Sequence, residues 1–382
     1  MKMLGDIQIE AFLREYWQKK PLLIRQAFPD FISPVGKEDL FELAAEPCVE
    51  SRIILEKTRK GPWQVQTGPF EQDELEALPS KKWTLLVQGL DHWLEEASDL
   101  LDHFRFIPNW RIDDIMASYA VDQGSVGPHY DHYDVFLLQA KGVRNWKVGP
   151  LCDEKSPRLE GTSLRILKTF ETTEEWDLKP GDMLYLPPAF AHFGVARGEC
   201  ITLSIGFRTP TLSDIMNELG AYTSEHDLCF QLPDTSPTRP GNPGEITPDA
   251  LNSVKALIEH SLYDTPHFAD WFGSFSTRPK SEEIVVPPDV PLSEQDFQVV
   301  VSQAKTVCWN EGSRFSYSCL NGRLSLYVDG EVFKLPGDYL MAVQAMCSQR
   351  KTEIGLYYNE LKQPFFSGLI RELHNIGSLY FE

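Results

Sequence analysis

The chain has 382 residues, 42% hydrophobic and 24% charged, which gives room for two or three cores and no case for wholesale disorder. Its 56 acidic against 36 basic residues leave a formal charge of −20, which repels a phosphate backbone, so direct nucleic-acid binding is not expected and a basic protein is the better-suited partner. No run of 18 apolar residues exists and MKMLGDIQIEAFLREYW lacks the apolar core of a signal peptide, so a cytoplasmic protein without a membrane span is expected.

The first 110 residues alternate amphipathic helical stretches (IEAFLREYWQK, EDLFELAAE, DHWLEEASDLL) with strand-like runs (SRIILEK, WTLLVQG). From Ile115 to Arg208 short strands are predicted at close spacing: IMASYAV, YDVFLLQA, VRNWKV, DMLYLPP and ITLSIGF. KPGD at 179 to 182 places Pro and Gly where a type II turn needs them. That density of strands predicts a barrel or jelly roll over residues 1 to 208, with the preceding helices as a flanking layer. A helical segment follows at 209 to 278, with patterns LSDIMNELGAYTSEH, PDALNSVKALIEHSL and PHFADWFGSF. The first two are separated by residues 231 to 248, whose five prolines predict a long loop. Ile215, Met216, Leu219 and Tyr222 form one apolar stripe, and Val254, Leu257, Ile258 and Leu262 another. Both stripes call for a cover, expected to be a second copy of the chain, with packing onto the barrel as the alternative. Past PPDVP, residues 285 to 382 combine a helix (EQDFQVVVSQAK), a strand pair joined at Asn-Gly (FSYSCLNGRLSLYV) and two more helices, the pattern of a winged-helix-like module. The seven cysteines are scattered and form no C-x-x-C, so reduced thiols are expected and not a disulfide framework or a zinc ribbon.

The stretch GPHYDHYD at 127 to 134 contains His, any residue, carboxylate twice: His129 with Asp131, and His132 with Asp134. On a strand, i and i+2 share a face, so each pair offers an imidazole and a carboxylate to one point, on opposite sides. A third ligand is found at His192, delivered by PGDMLYLPPAFAH at a strand end, 192 − 129 = 63 residues on. Two histidines and one carboxylate on one side of an octahedral iron leave the other side open, the arrangement of non-haem Fe(II) oxygenases. Arg144 lies in VRNWKV, where 144, 146 and 148 share a face and Lys147 points away. A guanidinium inside a barrel needs an anion, and the distal carboxylate of a dicarboxylic cosubstrate suits it. Thr202 and Ser204 alternate with Ile201, Leu203 and Ile205, turning hydroxyls to one face, for the cosubstrate or for each other.

Together PNWRIDDIMASYAVDQGSVGPHYDHYDVFLLQAKGVRNWKVG, LKPGDMLYLPPAFAHFGVA and LSIGFRTP resemble the JmjC-type ribosomal oxygenases, and among them the bacterial hydroxylases of an arginine in a large-subunit ribosomal protein. FLREYWQKKPLLIRQAF and WQVQTGPF extend the likeness toward the N-terminus. The resemblance implies a mixed, mainly β fold: a double-stranded β-helix of JmjC or cupin type with flanking helices, a helical dimerisation segment and a C-terminal winged-helix-like domain. It also implies Fe(II) on His129, Asp131 and His192, 2-oxoglutarate held at its distal carboxylate by Arg144, O2 as oxidant, a basic ribosomal protein as substrate, and a homodimer. His132 falls at a variable family position and reads as a neighbour on the far face. Tyr133 and Asp134 match the family's YD, by strand packing or by substrate contact, and Asp122, with Gln123 in the loop before the ligands, offers a place for an arginine to dock. The rival readings are the same chemistry on histidine or N-methylated residues, and a cupin-like module that binds ligand without turnover.

Overall fold

The computed structural model describes residues 3–58, 61–226, 231–232, 246–263, 265–281 and 283–382. Most of the proline-rich stretch lies outside them. The chain divides into two compact units, Met1–Thr209 and Pro210–Glu382.

The first unit contains β1 (Leu22–Ile24), β2 (Ser51–Thr58), β3 (Gly61–Thr67), β4 (Trp83–Val87), β5 (Ile112–Ala120), β6 (Val135–Leu151), β7 (Glu174–Leu178), β8 (Met183–Leu186) and β9 (Phe190–Phe207), with helices α1 (Ile9–Glu15), α2 (Lys37–Ala45), α3 (Gln72–Glu76) and α4 (Glu95–Leu101). All nine strands form one antiparallel sheet in the order β1-β8-β6-β9-β5-β4-β2-β3, with β7 paired to the second half of β6. Alternation along β6 explains why the sheet is buried on both sides. Phe136 and Leu138 join Phe12, Leu40, Tyr185, Leu203 and Ile205 in the larger core under the helices, while Val135, Leu137, Trp146 and Val148 join Leu178, Leu184 and Leu186 in a second cluster on the barrel's inner side.

Two expected strand breaks are absent. YDVFLLQA and VRNWKV run on as the single strand β6, and the segments around His192 and Thr202 run on as β9. Register shifts between Gln139 and Val143 bend the pair without ending it. Gly142 makes the bend possible: its φ is +67°, and a Cβ there would lie 2.1 Å from the carbonyl oxygen of Glu199. The KPGD turn forms as expected, with Gly181 at φ +86° and the Asp182 amide donating to the Lys179 carbonyl at 2.9 Å. The three-residue β1, the glutamine-containing β3 and the acidic β7 carry too weak a hydrophobic alternation to be read from the sequence.

The second unit holds α5 (Leu212–Glu225), α6 (Pro248–Tyr263), α7 (Thr265–Thr277), α8 (Glu294–Gln303), β10 (Thr306–Trp309), β11 (Phe315–Leu320), β12 (Arg323–Val328), β13 (Glu331–Leu335), α9 (Leu340–Ser348), β14 (Lys351–Glu353), α10 (Pro364–Asn375) and β15 (Leu379–Phe381). Two three-stranded sheets, β11-β12-β13 and β14-β10-β15, frame a core that includes Phe297, Trp309, Leu326, Val343, Phe366 and Leu373. The β11–β12 hairpin turns at Asn321 and Gly322, both at positive φ, as Asn-Gly predicts. Helix α7 belongs to this unit because Asp270 accepts from Ser325 and pairs with Lys334, and because Gly273 lets the ring of Tyr327 lie against the helix. The helices expected as a segment of their own therefore group with the C-terminal sheets. Among the described residues no helix is long and apolar enough to cross a membrane.

Candidate metal centre

The stretch GPHYDHYD does not run as a regular strand. His129 makes only an isolated bridge to His192, with reciprocal backbone bonds of 3.0 and 2.8 Å, and the chain then bends at His132 and Tyr133 before β6 begins. The bend separates the two overlapping pairs. His129 and Asp131 face His192, whereas His132 is exposed and Asp134 is buried on the other side of the sheet.

One ligand atom from each of His129, Asp131 and His192 lies within 4.8 Å of the others. Among the described residues no other trio of His, Cys, Asp or Glu converges in this way. The two rings are edge to face, 4.2 Å between centroids. Each Nδ1 is spent on a backbone carbonyl, His129 on that of Gly127 at 2.9 Å and His192 on that of Phe190 at 3.0 Å. A carbonyl only accepts, so each Nδ1 carries the proton and each Nε2 presents a bare lone pair. Burial, reinforced by the neighbouring His129, pushes His192 down to about 4, so its imidazole is neutral at physiological pH. Its Nε2 lies 3.5 Å from Asp131 Oδ2. Acceptors that face one another without a donor between them repel, and a divalent cation is what completes such a set.

The wall beside the trio is set by the β6–β9 register, Val148↔His192, Trp146↔Gly194 and Arg144↔Ala196. Paired residues present side chains to the same face, so Arg144 and Trp146 line the barrel beside His192. Arg144 is 2% exposed; its Nη1 donates to Ser118 Oγ at 3.0 Å and its guanidinium lies 5.0 Å from the Trp146 ring centroid. Its Nε and the indole N–H of Trp146 are buried without a partner, and among the described residues no carboxylate pairs with Arg144. Burial lowers its pKa, yet a guanidinium stays charged, so this is a buried cation that lacks an anion, a costly arrangement unless a ligand supplies one. Gly194 keeps the space clear: a Cβ there would come within 2.7 Å of Arg144 Nε and 2.8 Å of the Trp146 ring.

The remaining expected residues divide. Thr202 faces the interior, but its hydroxyl already donates to Gln139 Oε1 at 3.0 Å, while Ser204 lies farther along the same face. Asp122 lies beside Gly198, 198 − 192 = 6 residues along β9 from His192, with Lys81 at 2.9 Å and the Gly198 amide on its other oxygen at 3.0 Å, which hold its carboxyl down at about 2. Tyr133 is exposed on the bend. Lys147 pairs with Phe193 on the opposite face from Arg144. Ser118 and Gly194 were not foreseen. Gly194 stands two residues past His192 and shares its face, a readable signal, but Ser118 becomes visible only through the pairing Ser118↔Thr202.

Comparison with known proteins matches residues 99–215 to the JmjC domain and residues 256–380 to a ROXA-like winged helix. The chain is 32% identical over 374 residues to the ribosomal protein uL16 3-hydroxylase of Escherichia coli K12, covering 97% of each. It is 38% identical over 270 residues to a probable ribosomal oxygenase of Haemophilus influenzae, covering 69% of this chain and 66% of that protein. Among solved structures, the E. coli ribosomal oxygenase YcfD in complex with cobalt and 2-oxoglutarate superposes with a TM-score of 0.86 at 31% identity, over 99% of each chain.

Calorimetric titration with Mn(II) under exclusion of air is expected to give binding in the wild-type chain and none in His129→Ala, Asp131→Ala or His192→Ala, while His132→Ala binds as wild type. Binding retained in any of the three would move the centre elsewhere.

Proposed function

The chain belongs to the JmjC-domain ribosomal oxygenases, and from that premise we propose that it is an Fe(II)- and 2-oxoglutarate-dependent hydroxylase acting on an arginine side chain of a large-subunit ribosomal protein. The observation that carries this reading is the occurrence together of the trio His129, Asp131 and His192 and of a buried arginine, Arg144, that has no carboxylate partner among the described residues. When bound, the iron supplies activation of O2, with 2-oxoglutarate converted to succinate and CO2 and one oxygen atom inserted into a C–H bond.

The chain's own residues do the rest. His129, Asp131 and His192 would hold the metal through two bare imidazole nitrogens and a carboxylate. Arg144, with Ser118 behind it, takes the distal carboxylate of 2-oxoglutarate, and its free Nε adds a second donor. Gly194 provides the room, and Trp146, in one apolar cluster with Val148 and Leu186, makes the wall that runs between Arg144 and His192 apolar. Thr202 acts through Gln139, orienting it inside the barrel. Tyr133, exposed on the bend after Asp131, and Asp122, whose carboxylate would have to exchange its contacts with Lys81 and the Gly198 amide, are the groups proposed to meet the incoming arginine, and the charge of −20 favours a basic partner. A ribosomal-protein substrate puts the enzyme in the cytoplasm, with no direct contact to nucleic acid required. Leu212 and Met216 of α5 and Leu251, Val254 and Ile258 of α6 are exposed, which supports a homodimer formed through these helices.

Mass spectrometry of ribosomal proteins from cells with and without the gene is expected to find one arginine-containing peptide heavier by one oxygen atom only when the gene is present; oxygen on histidine, or loss of methyl groups instead, would replace the arginine assignment. Arg144→Ala should raise the 2-oxoglutarate concentration needed for succinate formation on the order of 30- to 1000-fold, the loss of a charge-assisted carboxylate contact of roughly 2 to 4 kcal/mol, with Arg144→Lys in between. Light scattering should give about twice the 43.6 kDa chain mass, and Met216→Glu or Ile258→Glu should shift it toward the monomer; a monomeric wild type would remove the dimer and leave the iron site standing.

A further inference from the structure

We propose that Asp134 is a positioning residue for the metal centre, clamped by Arg111, Tyr185 and Gln18 so that the turn carrying Asp131 is held at its far end. The inference rests on the reading of His129, Asp131 and His192 as the ligands.

The three ligands are not equally supported. His129 and His192 are tied to each other by two backbone bonds, and each ring is fixed through its Nδ1. Asp131 has less: its carbonyl accepts from the Ala189 amide at 2.7 Å, but among the described residues no hydrogen-bond donor holds its carboxylate. The chain then passes through the exposed bend at His132 and Tyr133, and its next fixed point is Asp134, 134 − 131 = 3 residues on. Three residues span about 10 Å at most, so whatever fixes Asp134 limits where Asp131 can go.

Asp134 is fixed strongly. It is 0% exposed; Tyr185 donates its hydroxyl to Oδ1 at 2.6 Å, while Gln18 Nε2 and Arg111 Nη2 donate to Oδ2 at 3.1 and 3.2 Å. The Asp134 carbonyl accepts from the Phe207 amide at 3.1 Å. The donors are themselves oriented, since Arg111 Nε is bound to the Arg208 carbonyl at 2.7 Å and the Tyr185 hydroxyl accepts from the Gln18 amide at 2.7 Å. The clamp therefore gathers the chain after α1, the start of β5, β8 and the end of β9 onto one carboxylate. An enclosed group with its oxygens engaged in this way is not free for a substrate. Its removal would release the turn at one end and leave the half-buried Arg111 without this countercharge.

The test is Mn(II) affinity of the full chain, read by electron paramagnetic resonance, beside the visible spectrum of the Co(II) form and the thermal midpoint of the metal-free protein. Asp134→Asn keeps shape and removes charge; it is expected to weaken Mn(II) binding about tenfold, the scale of losing a group that orients a ligand, and to alter the Co(II) spectrum. Ile115→Val, a core truncation that leaves Asp134 and its donors in place, serves as the control for stability alone and is expected to leave metal affinity unchanged. If Asp134→Asn does not fold, Arg111→Lys loosens the same clamp and should weaken binding severalfold. Mn(II) affinity and a Co(II) spectrum in the clamp variant that match those of Ile115→Val would overturn the proposal and leave the triad intact. A wild-type chain that binds no Mn(II) would instead overturn the triad itself.

Discussion

The pairing of β6 with β9 is the constraint on which the site depends. These strands run side by side from Val135↔Gly206 to Leu151↔Phe190 and carry on their inner face one proposed ligand, His192, and Arg144, proposed to take the cosubstrate. A slip of one residue would turn every one of those side chains to the opposite face. The slip is prevented by burial on both sides, since Phe136 and Leu138 are committed to the helical side and Leu137 and Val148 to the inner side. The shift near Gly142 matters as much as the regular pairing. Gln139 and Arg144 are an odd number of residues apart and would face opposite ways on a continuous strand, but the bulge changes the parity and both point inward.

Within that frame the proposed site separates its charges. The metal end is made of acceptors only, two bare imidazole nitrogens and a carboxylate, and the far end is a guanidinium whose hydroxyl partner, Ser118, cannot neutralise it. A metal ion at the first end and the carboxylate of a bound cosubstrate at the second would satisfy both. Neither end is satisfied by the protein alone, and such incompletely compensated burial is retained where a ligand repays it.

Much of this was legible early, because it depends on local chemistry. The alternation of Ile201, Leu203 and Ile205 with Thr202 and Ser204 does divide the two faces, and Arg144 does point inward with Trp146 and Val148 while Lys147 points away. The Asn-Gly hairpin and the KPGD turn are likewise written in residues whose backbone preferences need no partner. The two His-x-carboxylate pairs were a different matter, because spacing alone offered both and family likeness made the choice. In the structure the bend at His132 and Tyr133 separates them, leaving Asp134 on the far side, held by Arg111 and Tyr185 from distant parts of the chain.

The sequence by itself thus determined the element types, the two-faced pattern of the barrel strands and the identity of the chemically capable residues, since these follow from side-chain periodicity and turn chemistry over a few residues. Tertiary structure alone decided that β6 and β9 bend without breaking, that Ser118 stands behind Arg144, that Thr202 is spent on Gln139, and that α7 joins the C-terminal sheets. Each of these is a contact between residues far apart in the chain, set by strand register and by which buried polar groups find partners, and no local pattern encodes either.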